Sequence, residues 1–287
     1  MIKLHMGETG SLKTRIQPEE VKVIVDKIRA SGGEPFLFDT TTLYRRERYT
    51  KQKYLKFAKE NGFADFEVVI GNDDDVKHVN GYGILNELLN ADAMVVLSHA
   101  KGHVFTQYAG AIKNLGMGCV NKDGKRKIHM VSKPKWDKSK CTQCGACIKA
   151  CEDGFVQLDG GEITIDLRDC SGCGACVNAC PTGAMWREQG SVEASFEKFN
   201  EAAKAVLDEF RNAGKPVFYI NVLKNITRYC DCAVDVGKIV CPDIGYLTGD
   251  SALKIDQESI KLIKEKSPNA LDWKTIGLFM EIAEKYF

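Results

Sequence analysis

The sequence lacks any apolar run of the roughly 18 or more residues that a membrane-spanning helix needs. Its first residues include Lys3 and His5 and lead into polar sequence, unlike a secretory signal peptide. Forty basic residues are balanced by thirty-nine acidic ones, so no charge excess attracts nucleic acid or an anionic membrane. We therefore expect a cytoplasmic protein that binds neither nucleic acid nor membrane.

Several common catalytic motifs are also missing. The sequence has no GxGxxG or phosphate-loop pattern, and Gly249-Asp250-Ser251 is not a nucleophile elbow. Cysteine, by contrast, is abundant: there are twelve, many of them closely and regularly spaced, in a chain of 287 residues. In a reducing compartment such usage indicates metal ligation rather than disulfide bonds.

Strand and helix patterns alternate on both sides of the cysteine-rich stretch. Apolar segments predict strands at Ile2–Met6, Phe36–Phe38, Phe66–Ile70, Ala93–Leu97 and Val217–Ile220. Helices are predicted over residues 18–30, 49–59, 83–89, 104–114, 196–210, 257–266 and 273–286. This alternation predicts an α/β fold with a mostly parallel sheet and helices on both faces.

The α/β pattern is interrupted between residues 135 and 188. Just before the interruption, the basic stretch Lys122–Lys127 is predicted to be a solvated turn. About 100 residues follow it, which would make a thin separate domain. We therefore interpret residues 1–134 and 189–287 as one discontinuous α/β domain and residues 135–188 as an inserted domain.

Two cysteine runs of identical spacing fill the insert. Cys141-x2-Cys144-x2-Cys147-x3-Cys151 recurs 29 residues later, from position 141 to position 170, as Cys170-x2-Cys173-x2-Cys176-x3-Cys180. Runs of this kind hold [4Fe–4S] clusters, and the fourth cysteine of each run ligates the other cluster. The expected ligand sets are Cys141, Cys144, Cys147 and Cys180 for one cluster, and Cys170, Cys173, Cys176 and Cys151 for the other. Zinc is the alternative, but a four-ligand ion has no use for the third cysteine step or the crossed fourth.

The insert resembles the bacterial two-cluster ferredoxins over about 50 residues. Gly145-Ala146 and Gly174-Ala175 occupy matching places in the two runs, where glycine permits tight backbone curvature. Glu152 departs from the pattern, because proline is commoner after the fourth cysteine, as at Pro181. The resemblance implies a ferredoxin-like fold and a role in electron transfer.

Four cysteines remain outside the two runs: Cys119, Cys230, Cys232 and Cys241. Four thiols are the number that a zinc ion or a third cluster requires, so they form a candidate third metal site. The aspartates beside the Cys230-Asp231-Cys232 stretch weigh against burial. The alternative is that the four are separate buried cysteines that act as small apolar side chains.

Polar residues follow the predicted strand Ala93–Leu97 at its carboxyl end, the place where open parallel sheets bind ligands. They are His99, Lys101 and His103, with Lys113 and Asn114 at the end of the next predicted helix. We predict that these five side chains form a catalytic pocket for a small anionic substrate. Taken singly, each is more often a helix cap, a solvated lysine or a hydrogen-bonded histidine.

Three segments outside the insert carry a second resemblance. The sequence is similar to the family called domain of unknown function 362 at Ser98–His103, Gly110–Cys119 and Tyr229–Cys232, and also at Phe38–Thr40 and Asp243–Gly245. Members of that family often contain a ferredoxin module. The resemblance implies an α/β fold and a cytoplasmic iron–sulfur protein, and it supplies no reaction.

Three functions are compatible with these patterns. The first is a redox protein, a candidate oxidoreductase, whose two clusters relay electrons to a site in the α/β domain. The second is a plain electron carrier that docks a redox partner protein. The third is a structural or sensory iron–sulfur protein without turnover. The partner is accordingly a protein or a small-molecule substrate, and the oligomeric state is left open.

Overall fold

The computed structural model describes residues 1–287, and its regular elements follow one another along the whole chain. The strands are β1 (Ile2–Leu4), β2 (Leu37–Asp39), β3 (Val68–Ile70), β4 (Val76–Val79), β5 (Tyr82–Leu85), β6 (Met94–His99), β7 (Lys135–Trp136), β8 (Val156–Asp159), β9 (Glu162–Ile165), β10 (Met185–Trp186), β11 (Val217–Leu223), β12 (Ile226–Thr227), β13 (Ile239–Cys241) and β14 (Gly245–Gly249). The helices are α1 (Pro18–Ala30), α2 (Lys51–Ala58), α3 (Asn86–Leu89), α4 (Ala111–Gly118), α5 (Lys122–Met130), α6 (Ala146–Lys149), α7 (Ala175–Asn178), α8 (Ser191–Asn212), α9 (Ala252–Lys266) and α10 (Trp273–Ala283).

Six strands form the central sheet, in the order β14-β11-β6-β1-β2-β3. The strands from β11 to β3 are parallel, and only the edge strand β14 runs antiparallel, against β11. The parallel strands are apolar because both faces of the sheet are covered. The predicted mostly parallel sheet flanked by helices is therefore confirmed. No helix combines the length and the apolar character needed to span a membrane.

The two faces of the sheet have separate apolar cores. On one face, α1 and α2 pack through Val21, Val25 and Phe57 against strand residues such as Ile2 and Leu97. On the other face, α4, α8, α9 and α10 build the larger core. Most of the polar side chains described below stand at the carboxyl ends of β1, β2 and β6, between these two cores.

The segment predicted as a helix over residues 83–89 is helical only in its second part, Asn86–Leu89. Its first residues belong to β5, which pairs antiparallel with β4 in a β-hairpin. Asn80 and Gly81 connect the strands with positive φ angles of 51° and 77°. Asn-Gly is the preferred pair for such a tight hairpin turn, and this signal overrides the helical spacing of the apolar residues.

The helix predicted over residues 104–114 begins later, at Ala111. Its first N–H groups, on Ala111 and Ile112, donate to the Asp256 carboxylate at 2.8 and 2.9 Å. A side chain from α9 thus satisfies the exposed donors of this helix N-terminus. The preceding residues form an irregular loop, in which Lys101 and Ala109 pair across the backbone.

The basic stretch predicted as a solvated turn is helix α5. Asn121 begins the helix by accepting a hydrogen bond from the Gly124 N–H at 3.0 Å. One side of the helix is buried, including Lys125, which is 5% exposed. Because the exposed side of this amphipathic helix is basic, the sequence has the polar character of a solvated turn.

The two ends of the cysteine-rich segment lie side by side where it connects to the rest of the protein. Strands β7 and β10 pair antiparallel, with Trp136 opposite Met185, and the Asp137 N–H donates to the Ala184 carbonyl at 2.8 Å. Between these ends lie the short helices α6 and α7 and the hairpin of β8 and β9. Three ion pairs join the segment to the rest of the protein: Arg45–Asp166 at 3.5 Å, Arg46–Asp153 at 3.3 Å and Arg126–Asp169 at 2.9 Å.

Candidate functional site

A cavity of about 400 Å³ opens at the carboxyl ends of β1, β2 and β6. Parallel strands bring these ends to one edge of the sheet, which is why residues distant in sequence meet there. All five residues predicted as catalytic line the cavity: His99, Lys101, His103, Lys113 and Asn114. The structure therefore brings the predicted set together.

Asp231 ties two of these residues into a buried ion-pair network. Its Oδ2 lies 2.8 Å from Lys101 Nζ and 3.0 Å from His99 Nδ1, and its side chain is fully buried. His99 Nε2 lies 2.8 Å from the Lys224 carbonyl oxygen, so both ring nitrogens face acceptors. Burial raises the pKa of Asp231, but Lys101 and His99 outweigh it and hold that pKa well below its usual range.

Asn114 belongs to a second buried network, at the ends of β1 and β2. Lys3 Nζ donates to Asp39 Oδ1 at 2.9 Å and to Asn114 Oδ1 at 2.7 Å. Asp39 also accepts from Tyr54 Oη at 2.6 Å and from Arg48 at 3.3 Å. Burial raises the pKa of Asp39, yet Lys3 and Arg48 lower it below its usual value. Asn114 therefore fixes the orientation of a buried lysine.

A group of two thiols and one imidazole stands beside these networks. The ligand atoms of His103, Cys230 and Cys232 lie within 4.8 Å of one another. Lys113 Nζ is 3.8 Å from Cys230 Sγ. The pKa of Cys230 is lowered, first because the Cys232 S–H donates to it, and then because Lys113 favours the thiolate. Its partner keeps its proton, since donating to Cys230 raises the pKa of Cys232.

The tautomer of His103 follows from its backbone contacts. The N–H groups of Phe105 and Thr106 donate to Nδ1 at 3.2 and 3.1 Å. Nδ1 is therefore the acceptor of the neutral ring, and the ring proton is on Nε2. Burial lowers the pKa of His103, which keeps the ring neutral.

The four cysteines outside the two runs are not brought together as one site. Cys230 and Cys232 line the cavity, whereas Cys119 and Cys241 are packed in the larger apolar core. Burial raises the pKa of Cys119 to about 12, as expected of a thiol among apolar side chains. Cys230 is itself buried in spite of its acidic neighbour, because the charge of Asp231 is fully paired.

The eight cysteines of the two runs divide into two sets by position. The outer set lines a small cavity and consists of Cys141, Cys144, Cys147 and Cys180. The inner set lines the large cavity, together with the polar residues described above, and consists of Cys151, Cys170, Cys173 and Cys176. Each set takes three cysteines from one run and the last cysteine from the other.

Backbone N–H groups point at four of these sulfurs in a repeated pattern. The first cysteine of each run accepts from the residue two positions on, at 3.4 Å in both runs. The last cysteine accepts from Phe155 at 3.2 Å in one run and from Met185 at 3.3 Å in the other. Such donors favour thiolate over thiol. At Cys180 they outweigh burial and lower the pKa to about 7, whereas at Cys170 burial prevails and raises the pKa to about 11.

The backbone of the two runs is matched as well. Gly145 and Gly174, directly before the short helices, have φ angles of 73° and 82°. Two residues earlier, Gln143 and Gly172 have φ angles of 56° and 61°. A left-handed conformation is uncommon for glutamine, so the loop geometry is kept even where glycine is absent.

Several residues that line the cavity were not predicted from the sequence. Lys3, His5, Arg46, Arg48 and Lys125 all line the cavity. Lys3 is the one that a local pattern could have identified, since a charged residue inside a strand buried on both faces needs a partner. The remaining four stand in loops or on a helix whose burial depends on distant segments.

Lys125 can be used to measure how much the burial of its charge in the cavity wall lowers the stability of the protein. Its Nζ donates to Thr40 Oγ1 at 2.8 Å and to the Val120 carbonyl at 2.5 Å and forms no ion pair, and burial lowers its pKa to about 8. We expect Lys125→Met to raise the free energy of unfolding by about 1–3 kcal/mol at pH 7, measured by urea denaturation.

The advantage of Lys125→Met should shrink as the pH rises from about 8 towards 10.5, the ordinary lysine value. In that window the folded wild type has lost the proton of this lysine while the unfolded chain still binds it, so wild-type stability rises. Lys56→Met, at an exposed position of α2, is the control and should change stability by about 0.5 kcal/mol or less. An advantage that stays constant across this window would contradict the assignment of a charged, buried Lys125.

The fold and the site together define an α/β protein with a buried polar cavity at its strand ends and a cysteine-rich segment beside it. Comparison with protein families identifies the chain more closely: it belongs to the family described as Domain of unknown function (DUF362), which matches residues 1–261. The match covers the cavity, the cysteine-rich segment and most of α9. A search of curated proteins gives no match.

Proposed function

We propose that this protein is an iron–sulfur redox protein in which two [4Fe–4S] clusters relay electrons to the polar cavity. The outer set of cysteines would hold one cluster and the inner set the other, in the crossed arrangement that the repeated spacing predicts. The observation that carries the proposal is that the inner set lines the same cavity as His103, Lys113 and the Cys230–Cys232 pair. Bound clusters would supply one-electron steps at the wall of a ligand pocket.

The donor groups suit a cluster better than a zinc ion. Four thiolates about 2.3 Å from one zinc would stand about 3.8 Å apart. Even within the wider limit of 4.8 Å, the ligand atoms that come together as a group of three or more are those of His103, Cys230 and Cys232, so neither set of four is drawn together around a single ion. All eight cysteines are free thiols, and backbone N–H groups already point at four of them.

The exposure of the two sets suggests a direction for the relay. Cys144 of the outer set is exposed, so a redox partner protein can approach that cluster. Cys170 and Cys176 of the inner set are buried, and they line the cavity together with residues of the α/β part. Electrons would enter at the outer cluster and leave at the inner one. A cytoplasmic location is part of the proposal, since a reducing compartment keeps these thiols available.

The cavity suits a small anionic substrate. Lys113 has no carboxylate partner, and Arg46 has two buried nitrogens, Nε and Nη1, without a hydrogen-bond partner. A guanidinium with unused donors is well suited to a carboxylate or phosphate group. The third nitrogen of Arg46, Nη2, already pairs with Asp153 at 3.3 Å and donates to the Cys232 carbonyl at 2.8 Å. Lys101 is neutralised by Asp231.

One observation favours a second candidate, a plain electron carrier. His99, Lys101 and Asn114 spend their hydrogen bonds on Asp231, Lys3 and the backbone, as structural residues do. In that case the α/β part would dock partner proteins, and no reaction would take place in the cavity.

The test begins with anaerobic purification and measurement of iron and acid-labile sulfide. We expect about eight irons per chain and a paramagnetic cluster signal after reduction. Zinc in place of iron, or iron without a cluster signal, would overturn the proposal. Succinate or inorganic phosphate should then perturb the signal of the inner cluster, and Lys113→Ala should abolish that effect. Signals that ignore both anions would favour the plain carrier.

A further inference from the structure

Two cysteines at the cavity belong to neither the outer nor the inner set. Cys230 and Cys232 are separated by one residue, and their sulfur atoms lie within 4.8 Å of each other. We infer that they form a redox-active dithiol that exchanges two electrons with the two clusters. This inference rests on the proposed function, because the clusters are its electron donors.

The backbone around the pair is fixed from both sides. The side chain of Asp231 is anchored by Lys101 and His99. A tight turn follows, in which the Ala233 N–H donates to the Cys230 carbonyl at 2.8 Å. Both flanking sulfurs therefore remain at the cavity wall while the residue between them points into the protein.

The pair is close enough to form a disulfide. An S–S bond measures about 2.05 Å, and its two Cα atoms stand about 4.4–6.8 Å apart, a range that includes neighbours two positions apart in a turn. Rotation about the Cα–Cβ bonds can bring sulfurs that are already within 4.8 Å into bonding contact.

The same place offers too few ligands for a metal ion. The Nδ1 atom of His103 accepts two backbone N–H bonds, and the ring proton on Nε2 occupies the remaining lone-pair position. Cys119 and Cys241, the other candidate ligands, are in the apolar core. Only two thiols are then left for an ion that takes four ligands.

The charge beside the pair suits dithiol chemistry. Lys113 Nζ, 3.8 Å from Cys230 Sγ, stabilises a thiolate on that sulfur. The thiolate is the nucleophile in disulfide exchange, and the neighbouring thiol is the resolving group. Cys230 is therefore the attacking sulfur of the pair, and Cys232 the second.

The electron count matches the number of clusters. Two electrons, one from each bound cluster, would break the Cys230–Cys232 S–S bond and leave two thiolates. Cys232 would then take up one proton from water and become the thiol that donates to Cys230. Cys230 would stay a thiolate beside Lys113 Nζ, which is in contact with that sulfur. The dithiol would thus combine two one-electron donations into a single two-electron step.

The test is a reductive titration of the fully oxidised, cluster-loaded protein. Wild type should take up about four electrons per chain, two for the clusters and two for the disulfide, whereas Cys232→Ser should take up about two. Alkylation followed by mass spectrometry at controlled potentials should show Cys230 and Cys232 becoming labelled together, with a slope of about 30 mV per tenfold change in the ratio of dithiol to disulfide.

Cys119→Ser is the matched control and should keep the four-electron uptake, and Cys230→Ser should behave like Cys232→Ser. Intact cluster signals with two-electron uptake in wild type would overturn the dithiol and leave the proposed function standing. An additional zinc or iron, lost in Cys232→Ser, would overturn it in favour of a metal site. Protein without any cluster signal would instead overturn the proposed function itself.

Discussion

Replacing Cys180 by serine is expected to halve the iron content, from about eight to about four irons per chain, and to release the other three cysteines of the outer set. Cys180 is the last cysteine of the second run but lines the small cavity with Cys141, Cys144 and Cys147. Losing this one ligand leaves three thiolates, which hold a cluster poorly. Iron analysis and alkylation followed by mass spectrometry would measure both effects.

Cys151→Ser is the reciprocal variant, because Cys151 is the last cysteine of the first run but lines the large cavity with the inner set. It should leave the outer cysteines protected from alkylation and release Cys170, Cys173 and Cys176. Cys241→Ser, in the apolar core, is the control and should keep about eight irons. Release of Cys170, Cys173 and Cys176 in Cys180→Ser would show that each run holds its own cluster, against the crossed arrangement.

Asp231→Asn should lower the free energy of unfolding by about 3–5 kcal/mol at pH 7, the loss typical of breaking a buried ion pair by removing one partner. Lys101 would remain buried and charged, and His99 would lose the carboxylate at its Nδ1. The neutral amide cannot compensate the charge of Lys101. Urea denaturation of wild type and variant, both with the same metal content, would measure the difference.

Acid should reduce this difference in a defined direction. The folded pKa of Asp231 is below its unfolded value, so its contribution is complete above the ordinary carboxyl range and is lost as the pH falls below it. Asp26→Asn is the control: Asp26 pairs with Lys22 on an exposed helix surface and should contribute about 1 kcal/mol or less. Equal losses from the two variants at pH 7 would mean that the Asp231 network adds nothing beyond a surface ion pair.

Much of the fold could be predicted because the relevant patterns are local. The apolar segment at β6 and the long apolar stripe of α8 each identify an element without reference to the rest of the chain. Two of the errors occur where a distant residue decides the outcome. Asp256 fixes the start of α4 from another helix, and the buried Lys125 Nζ donates to Thr40, which follows β2.

The candidate site divides in the same way. His99, Lys101 and His103 could be found from the position of β6, because the edge where parallel strands end is known once the strand is known. Arg48 could not, since its ion pairs join its loop to Glu8, in another loop, and to Asp39, at the end of β2. The division of the four extra cysteines also lay beyond the sequence. Cys119 is buried behind the cavity, and nothing in its spacing from Cys230 reveals that.

The paired ends of the cysteine-rich segment have a consequence for how such a protein can change over time. Because β7 and β10 are hydrogen-bonded neighbours, the whole segment between them is connected to the α/β part like a single hairpin loop, with its two ends side by side. The entropy of closing a loop grows slowly, by about 0.6 kcal/mol for each doubling of its length. Segments of different size could therefore be exchanged at this junction during evolution while the sheet and its cavity keep their connections.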